Sequence, residues 1–95
     1  MKRQATRVTF VLSGILIRYA DYRKRLEVEA STIESGIDGL VARCPALREI
    51  LFTEQGELRR MHRLFLNGEA IEWEDKRRRL APDDTVELVT AVAGG

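Results

Sequence analysis

STIESGIDGLVARCP, residues 31–45, is the longest stretch of this sequence whose apolar residues recur at α-helical spacing. Ser31 followed by Glu34 forms a capping-box pattern, which predicts that the helix begins at Thr32. Pro45 disfavours helical geometry at Cys44, so the helix should end there. The apolar side chains of this helix form a single stripe, which must be covered by another layer: Ile33, Ile37, Leu40, Val41 and Cys44.

Before this helix, residues 7–12 and 25–30 alternate between apolar and polar side chains, as half-buried strands require. Val8, Phe10 and Leu12 point to one side of the first segment. In the second segment the outer side is fully charged. The two segments predict an opening hairpin of antiparallel strands. The stretch between them, residues 13–24, predicts no more than a broad turn.

After the helix, the sequence predicts a short second helix over 46–52 and three further strands over 58–66, 70–73 and 85–89. Asn67-Gly68 is typical of a two-residue type I′ turn, whose central positions both need positive φ. Strands therefore dominate, and one amphipathic helix is available to cover one face of the sheet. The sequence predicts an α+β domain with a mixed sheet of about five strands and one main helix packed on one face.

Composition limits the possible functions. The chain has 95 residues, enough for one small domain, and its formal net charge of +1 argues against a nucleic-acid binder. No apolar run approaches the roughly 20 residues that cross a bilayer, so no membrane association is expected. With one cysteine there is no intrachain disulfide, and nothing in the sequence indicates export. We expect a cytoplasmic protein.

The sequence offers few residues for catalysis. It has one histidine, His62, and one cysteine, Cys44, so no metal-ligand spacing exists and no metal site is expected. Both side chains are interpreted as structural, since neither has a partner nearby in sequence. No glycine-rich phosphate loop follows a strand. The basic run KRRR at 76–79 is either a solvated surface or a grip for an acidic partner.

The last residues, LVTAVAGG at 88–95, run from an apolar strand into two glycines. Six residues from Thr90 to Gly95 can extend about 20 Å, enough to enter the active site of another protein. Gly94 and Gly95 have no Cβ and would pass a channel too narrow for other residues. On composition alone, an inert and flexible end is an equally good interpretation.

Three features together resemble the ubiquitin-like sulfur carriers: the small subunit of molybdopterin synthase, the thiamin sulfur carrier and the carrier for bacterial cysteine synthesis. The matching pieces are RLFLNGEAIEW at 63–73, LAPDDTVELVTAVAGG at 80–95, and the β-β-α order that precedes them. The resemblance implies a β-grasp fold. It divides the chain into a domain over 1–89 and a flexible tail over 90–95.

The resemblance also implies a chemistry, in which the chain is a co-substrate and not an enzyme. An E1-like adenylyltransferase would use ATP to adenylate the Gly95 carboxylate, and the chain itself would bind no cofactor. Sulfide, a rhodanese or a persulfide donor would then supply the sulfur of a thiocarboxylate, which a synthase accepts for cysteine, cofactor or metabolite biosynthesis. Gly94 and the preceding residues Ala91, Val92 and Ala93 would lie in the partner's active site.

Docking of such a partner needs a surface. Val11 on the first strand and Val89 on the last strand both point to the outer face, and these strands are neighbours in a β-grasp. Val89 stands where the molybdopterin relative carries an aromatic residue that packs on its activating enzyme. We predict that the two valines form a small apolar docking patch behind the tail.

Two other functions fit the same residues. One is a ubiquitin-like modifier that is joined through Gly95 to lysines of other proteins, because the same activation serves both. The other is a β-grasp binding module whose tail is inert. If the natural chain continues past Gly95, a protease would first have to expose the glycines.

Overall fold

A computed structural model describes residues 6–90 of the chain. The main helix, α1, spans Ile33–Arg43 and has Thr32 as its N-cap residue. The Thr32 hydroxyl accepts a hydrogen bond from the Ser35 amide at 3.1 Å, and the Ser35 hydroxyl accepts one from the Thr32 amide at 3.1 Å. The capping box is therefore Thr32–Ser35, one residue later than the predicted Ser31–Glu34 pair. The end of the helix at Cys44, before Pro45, is confirmed.

A mixed five-stranded sheet lies under α1, in the order β2-β1-β5-β3-β4. β1 and β5 are parallel, and every other neighbouring pair is antiparallel. This arrangement confirms the predicted α+β class and the β-grasp fold. The strands are β1 (Thr6–Leu12), β2 (Arg25–Ala30), β3 (His62–Leu66), β4 (Glu69–Ile71) and β5 (Thr85–Thr90).

Three short helical elements complete the fold. The predicted second helix is present as α2, Leu47–Leu51. Gly14–Ala20, which the sequence assigned only to a broad turn, is a 3₁₀ helix that buries Leu16 and Ala20. A second 3₁₀ helix covers Trp73–Asp75.

The core forms where α1 and α2 cover one face of the sheet, and the predicted inward side chains of the strands and of α1 are buried there. Ile50 of α2, also predicted to face inward, is only partly buried. Two glycines of α1 allow the helix to lie close to the strands. A Cβ atom at Gly36 would lie 2.8 Å from the Phe10 ring, and one at Gly39 would lie 2.8 Å from a Val28 methyl group. The weak helix propensity of glycine is therefore offset by a close helix–sheet contact.

Gly36→Ala is expected to destabilise the domain, although alanine is the better helix former by about 1 kcal/mol. Phe10 is fully buried, so its ring has no solvent to move into, and overpacking a core costs about 1–3 kcal/mol. Chemical denaturation should show a lower free energy of unfolding than in the wild type. Asp38→Ala, at an exposed position of the same helix, is the matched control. A more stable Gly36→Ala variant would contradict the close contact.

The predicted strand over 58–66 is shorter than the sequence indicated. β3 begins only at His62, and Leu58 makes an isolated bridge with Phe52. The chain turns between them, because the Arg59 amide donates to the Leu51 carbonyl at 2.8 Å and the His62 amide donates to the Arg59 carbonyl at 3.1 Å. These bonds direct residues 59–61 away from a sheet partner.

The predicted strand over 70–73 also ends early, at Ile71. The Glu72 and Asp75 side chains form a reciprocal capping box that starts the 3₁₀ helix at Trp73. The Trp73 ring then packs against Phe52, with centroids 5.6 Å apart, and the Lys76 ammonium lies 5.2 Å from its centroid. Trp73 therefore closes one side of the core instead of extending β4.

The Asn67-Gly68 turn and the turn before β5 form one hydrogen-bonded unit. Asn67 and Gly68 have φ of 52° and 87°, as the predicted type I′ turn requires. The Asn67 side chain accepts from the Thr85 amide at 2.9 Å and donates to the Asp84 carboxylate at 3.0 Å. The second Asp84 oxygen accepts from the Ala81 amide at 2.8 Å. The two motifs that carried the resemblance are thus in contact.

These hydrogen bonds make Asp84 a source of pH-dependent stability. The Ala81 amide, then the Asn67 side chain, lower the pKa of Asp84 below its ordinary value of 3.8, and Arg78 acts in the same direction. A carboxyl group with a lowered folded-state pKa stabilises the fold above its unfolded pKa. That contribution is lost as the pH falls through the lower, folded-state value.

Asp84→Asn should therefore lose stability at neutral pH and approach the wild type in acid. Denaturation at pH values above and below 3.8 measures the difference. Asp83→Asn, which removes a carboxylate from the same turn, is the control. A stability difference between Asp84→Asn and wild type that does not change with pH would contradict the assignment.

Candidate functional site

β5 carries the chain toward its last residues from the middle of the sheet. It lies between β1 and β3, and its last residue, Thr90, is paired with His62 of β3. We call Thr90 and His62 the tail root. The predicted site residues of the tail, Ala91, Val92, Ala93, Gly94 and Gly95, lie outside the described residues.

His62 connects the tail root to α2. It is the one buried polar side chain among residues 6–90, with 4% of its surface exposed. Its Nε2 lies 2.6 Å from the Ile50 carbonyl oxygen, and its Nδ1 lies 3.1 Å from the Thr90 hydroxyl. A carbonyl only accepts, so Nε2 carries a proton and donates to Ile50, while Nδ1 and the Thr90 hydroxyl share the second hydrogen bond. His62 thus links β3 to α2 and to Thr90, a connection that the sequence did not indicate.

The two valines of the predicted docking patch lie on the outer face of neighbouring strands. Val11 is paired with Glu87 of β5, and Val89 is paired with Arg63 of β3. Val89 therefore lies two residues beyond the position opposite Val11, and the two valines are not directly paired across the strands. Both side chains are half-buried. Their role in docking stays a prediction.

A third apolar residue of this face was missed in the sequence. Phe65 on β3 is half-buried, and it is paired with Glu87 on one side and with Ala70 of β4 on the other. The sequence signal was present, because Phe65 alternates with the buried residues Leu64 and Leu66. We call Val11, Phe65, Ala70 and Val89 together the outer patch.

The basic run 76–79 lies at the opposite end of the molecule. The carbonyl groups of Lys76 and Arg78 accept hydrogen bonds from the amides of Glu34 and Ile33 at the start of α1, at 2.8 and 3.3 Å. Arg79 makes an isolated bridge with Thr32. Thr32 lies just beyond the end of β2, and that end of β2 is paired with the beginning of β1. The run is thus anchored by its backbone, far from the tail root.

Residues 6–90 contain no group of three His, Cys, Asp or Glu side chains arranged to hold a metal ion. Cys44, the single cysteine, is buried against the core. No helix in this part of the chain is both long and apolar enough to span a membrane. We take the tail root, the outer patch beside it and the exposed surface around them as the candidate site.

This arrangement defines a ubiquitin-like β-grasp domain whose central strand leads into an apolar, glycine-ended sequence. The profile of the ThiS family matches residues 12–95. The chain belongs to the ThiS family of ubiquitin-like sulfur carriers. A comparison with curated proteins finds no match.

Solved structures agree with this assignment. The crystal structure of SAMP1 from Haloferax volcanii is 27% identical with a TM-score of 0.83, covering 94% of this chain and 99% of that one. The BexX/CysO complex of Amycolatopsis orientalis contains a chain that is 26% identical with a TM-score of 0.81, covering 93% and 99%. CysO from Mycobacterium tuberculosis, at 24% identity and a TM-score of 0.79, covers 90% and 99% and shares the fold.

Proposed function

We propose that this chain is a sulfur carrier protein in which the carboxylate of Gly95, once Gly95 is the terminal residue, is converted to a thiocarboxylate. The observation that carries the proposal is the family match over residues 12–95, which includes the Gly94-Gly95 pair. The tail root supports it, because β5 has hydrogen-bonded neighbours on both sides and so gives the tail a rigid base. In this role the chain is a co-substrate, and its partner enzymes perform the catalysis.

The chemistry follows from the poor reactivity of a carboxylate toward nucleophiles. In the first step, a Gly95 carboxylate oxygen attacks the α-phosphorus of ATP in an E1-like adenylyltransferase, and pyrophosphate leaves. Sulfide then attacks the carbonyl carbon of the acyl-adenylate. A C–S bond forms, the C–O bond to AMP breaks, and AMP leaves with the electron pair of that bond. No oxidant or reductant is needed.

The domain serves as a handle for this reactive end. A thiocarboxylate is ionised at neutral pH, and its soft sulfur attacks electrophiles readily, so it must be exposed only inside a partner. The outer patch and the tail root provide the surface by which an activating enzyme and a sulfur-accepting synthase would recognise the loaded chain. Fold alone does not choose among cysteine, cofactor and metabolite pathways.

Conjugation to other proteins is the second candidate function. It is favoured by the similarity to SAMP1, which is named as a small archaeal modifier protein in a second structure that is 26% identical to this chain. The activation step is the same, but a lysine amine replaces sulfide as the nucleophile. The product is then an isopeptide bond through Gly95.

One experiment separates the candidates. The purified chain is incubated with the E1-like adenylyltransferase of the same organism, ATP and sulfide, and its intact mass is measured. A carrier gains the mass difference between one sulfur and one oxygen atom. A modifier instead forms higher-mass adducts when lysate proteins are added. A chain that shows neither change, with an enzyme proven active on another carrier, contradicts both functions.

A further inference from the structure

Exposed apolar side chains gather at the tail end of the domain. Of the four large exposed hydrophobic residues in 6–90, Ile15 and Tyr19 lie in the first 3₁₀ helix and Met61 precedes His62, with exposed fractions of 43%, 37% and 47%. The 3₁₀ helix follows β1, and β1 runs parallel to β5, so this helix lies at the end of the sheet where β5 finishes. Met61 lies there because His62 is paired with Thr90.

Two of these side chains line a groove of about 410 Å³. We call it the tail-root groove; it is lined by Tyr19, Ala46, Glu49, Ile50, Arg59 and Met61. The backbone of Ile50 accepts the 2.6 Å hydrogen bond from His62, whose other nitrogen is hydrogen-bonded to the Thr90 hydroxyl. A single imidazole ring therefore separates the groove wall from the last described residue of the chain.

The groove and its immediate surroundings carry more basic than acidic side chains, because Arg59 lines the groove and Arg60 follows it in the chain, whereas Glu49 is the one acidic lining residue. Arg59 lines it and is held in place by a hydrogen bond from its Nε to the Glu49 carbonyl oxygen at 3.0 Å. Arg60 follows and is exposed. Among residues 6–90 the one ion pair, Arg7–Glu27, lies elsewhere on the sheet. The arginines beside the groove therefore present their charge to whatever covers it.

We propose that the tail-root groove is a second docking surface, which receives an apolar side chain from the mouth of the enzyme that takes the tail, with acidic residues of that enzyme facing Arg59 and Arg60. The inference rests on the proposed function, because the groove is linked through His62 to Thr90, the residue after which the tail would enter the enzyme. Charge complementarity favours an acidic partner. A second copy of this chain would instead bring the same arginines together across a two-fold axis.

This surface differs from the outer patch in position and composition. The outer patch lies on the open face of the sheet, whereas the groove lies between the first 3₁₀ helix, α2 and residues 59–61. Contact with the enzyme at both places would fix the direction in which the tail enters the enzyme's active site. The two contacts are separable by mutation, since they share no residue.

The test is steady-state adenylation by the E1-like adenylyltransferase of the same organism, with the full chain as the varied substrate. Met61→Ser and Tyr19→Ser should each raise KM about tenfold, the loss expected for one buried apolar side chain, with the effect falling on KM and not on kcat. Tyr22→Ser is the matched control, because Tyr22 is 75% exposed and does not line the groove. Melting temperatures establish that each variant is folded.

A second pair of variants tests the charge. Arg59→Gln should raise KM severalfold at low ionic strength, and the difference should shrink as salt screens the interaction. Arg77→Gln, in the exposed basic run at the far end of the domain, is its control and should leave KM unchanged.

The outcomes distinguish this inference from the function on which it rests. If the wild-type chain is not adenylated, the proposed function fails. If the wild type is adenylated and the groove variants have wild-type KM, the groove is not a docking surface and the inference is overturned. Self-association of the wild type that Met61→Ser abolishes would also overturn it, because the occupant would then be a second copy.

Discussion

A chain that ends at Gly94 is expected to gain no sulfur when it is incubated with its adenylyltransferase, ATP and sulfide. Loss of one residue draws the terminal carboxylate back by about 3.3–3.6 Å, more than the tolerance of a reaction whose reacting atoms must meet at van der Waals distance. Intact-mass measurement should show only the unmodified chain. We expect the initial rate to fall at least about a hundredfold, because even a small misplacement of the reacting groups can lower a rate by that much.

Two substitutions distinguish the effect of the length of the tail on activity from the effect of its width. Gly95→Ala keeps the length and the carboxylate but adds a Cβ, so it should also lose most activity if the channel fits glycine alone. Ala93→Gly keeps the length and adds no atom, so it should retain activity. Sulfur uptake by the chain that ends at Gly94 would refute the assignment of Gly95 as the reacting residue.

Val89→Asp is expected to leave the domain folded and to reduce adenylation by at least about a hundredfold. Val89 is half-buried on the outer face, and its cross-strand partner is Arg63, so the new carboxylate gains an opposite charge within the free protein. Against an enzyme that packs an apolar surface on the outer patch, the same carboxylate would be buried without a partner. The free-energy cost of burying that unpaired charge is several kcal/mol, which is enough for the expected decrease in adenylation.

The control for this prediction lies on the same strand. Thr85→Asp places a carboxylate on the same face of β5, four residues earlier and at the end remote from the tail root. It should leave adenylation close to the wild-type rate. Adenylation kinetics and a denaturation curve for each variant provide the measurement. If a folded Val89→Asp chain is adenylated at the wild-type rate, the outer patch is not part of the docking surface.

The fold could be predicted because its strongest signals are local. The period of α1, the alternation of β1 and β2, and the Asn67-Gly68 turn each depend on neighbours in the sequence, and all three were correct. The errors occur where two local solutions have similar energy. Ser31 and Thr32 are both good caps, and Thr32 is the cap because its hydroxyl accepts the hydrogen bond of the Ser35 amide. In the same way, the capping box of the second 3₁₀ helix ended the predicted fourth strand early at Ile71.

The candidate site was less predictable, because it joins distant parts of the chain. Tyr19, Ile50 and Met61 have no common spacing, and they meet only because β1 and β5 are parallel and α2 packs above them. His62 had no visible partner in sequence, since its two hydrogen bonds reach a carbonyl twelve residues earlier and a hydroxyl twenty-eight residues later. Phe65, by contrast, could have been placed on the outer face from the alternation of β3 alone.

The central place of β5 has a mechanical consequence. The strand is hydrogen-bonded along β1 on one side and β3 on the other. A partner that draws on the chain beyond Thr90 therefore loads two rows of bonds in shear, so that several must yield together. An edge strand such as β4 would instead peel away one bond at a time. The domain is thus expected to resist a force that a partner protein applies to the chain beyond Thr90.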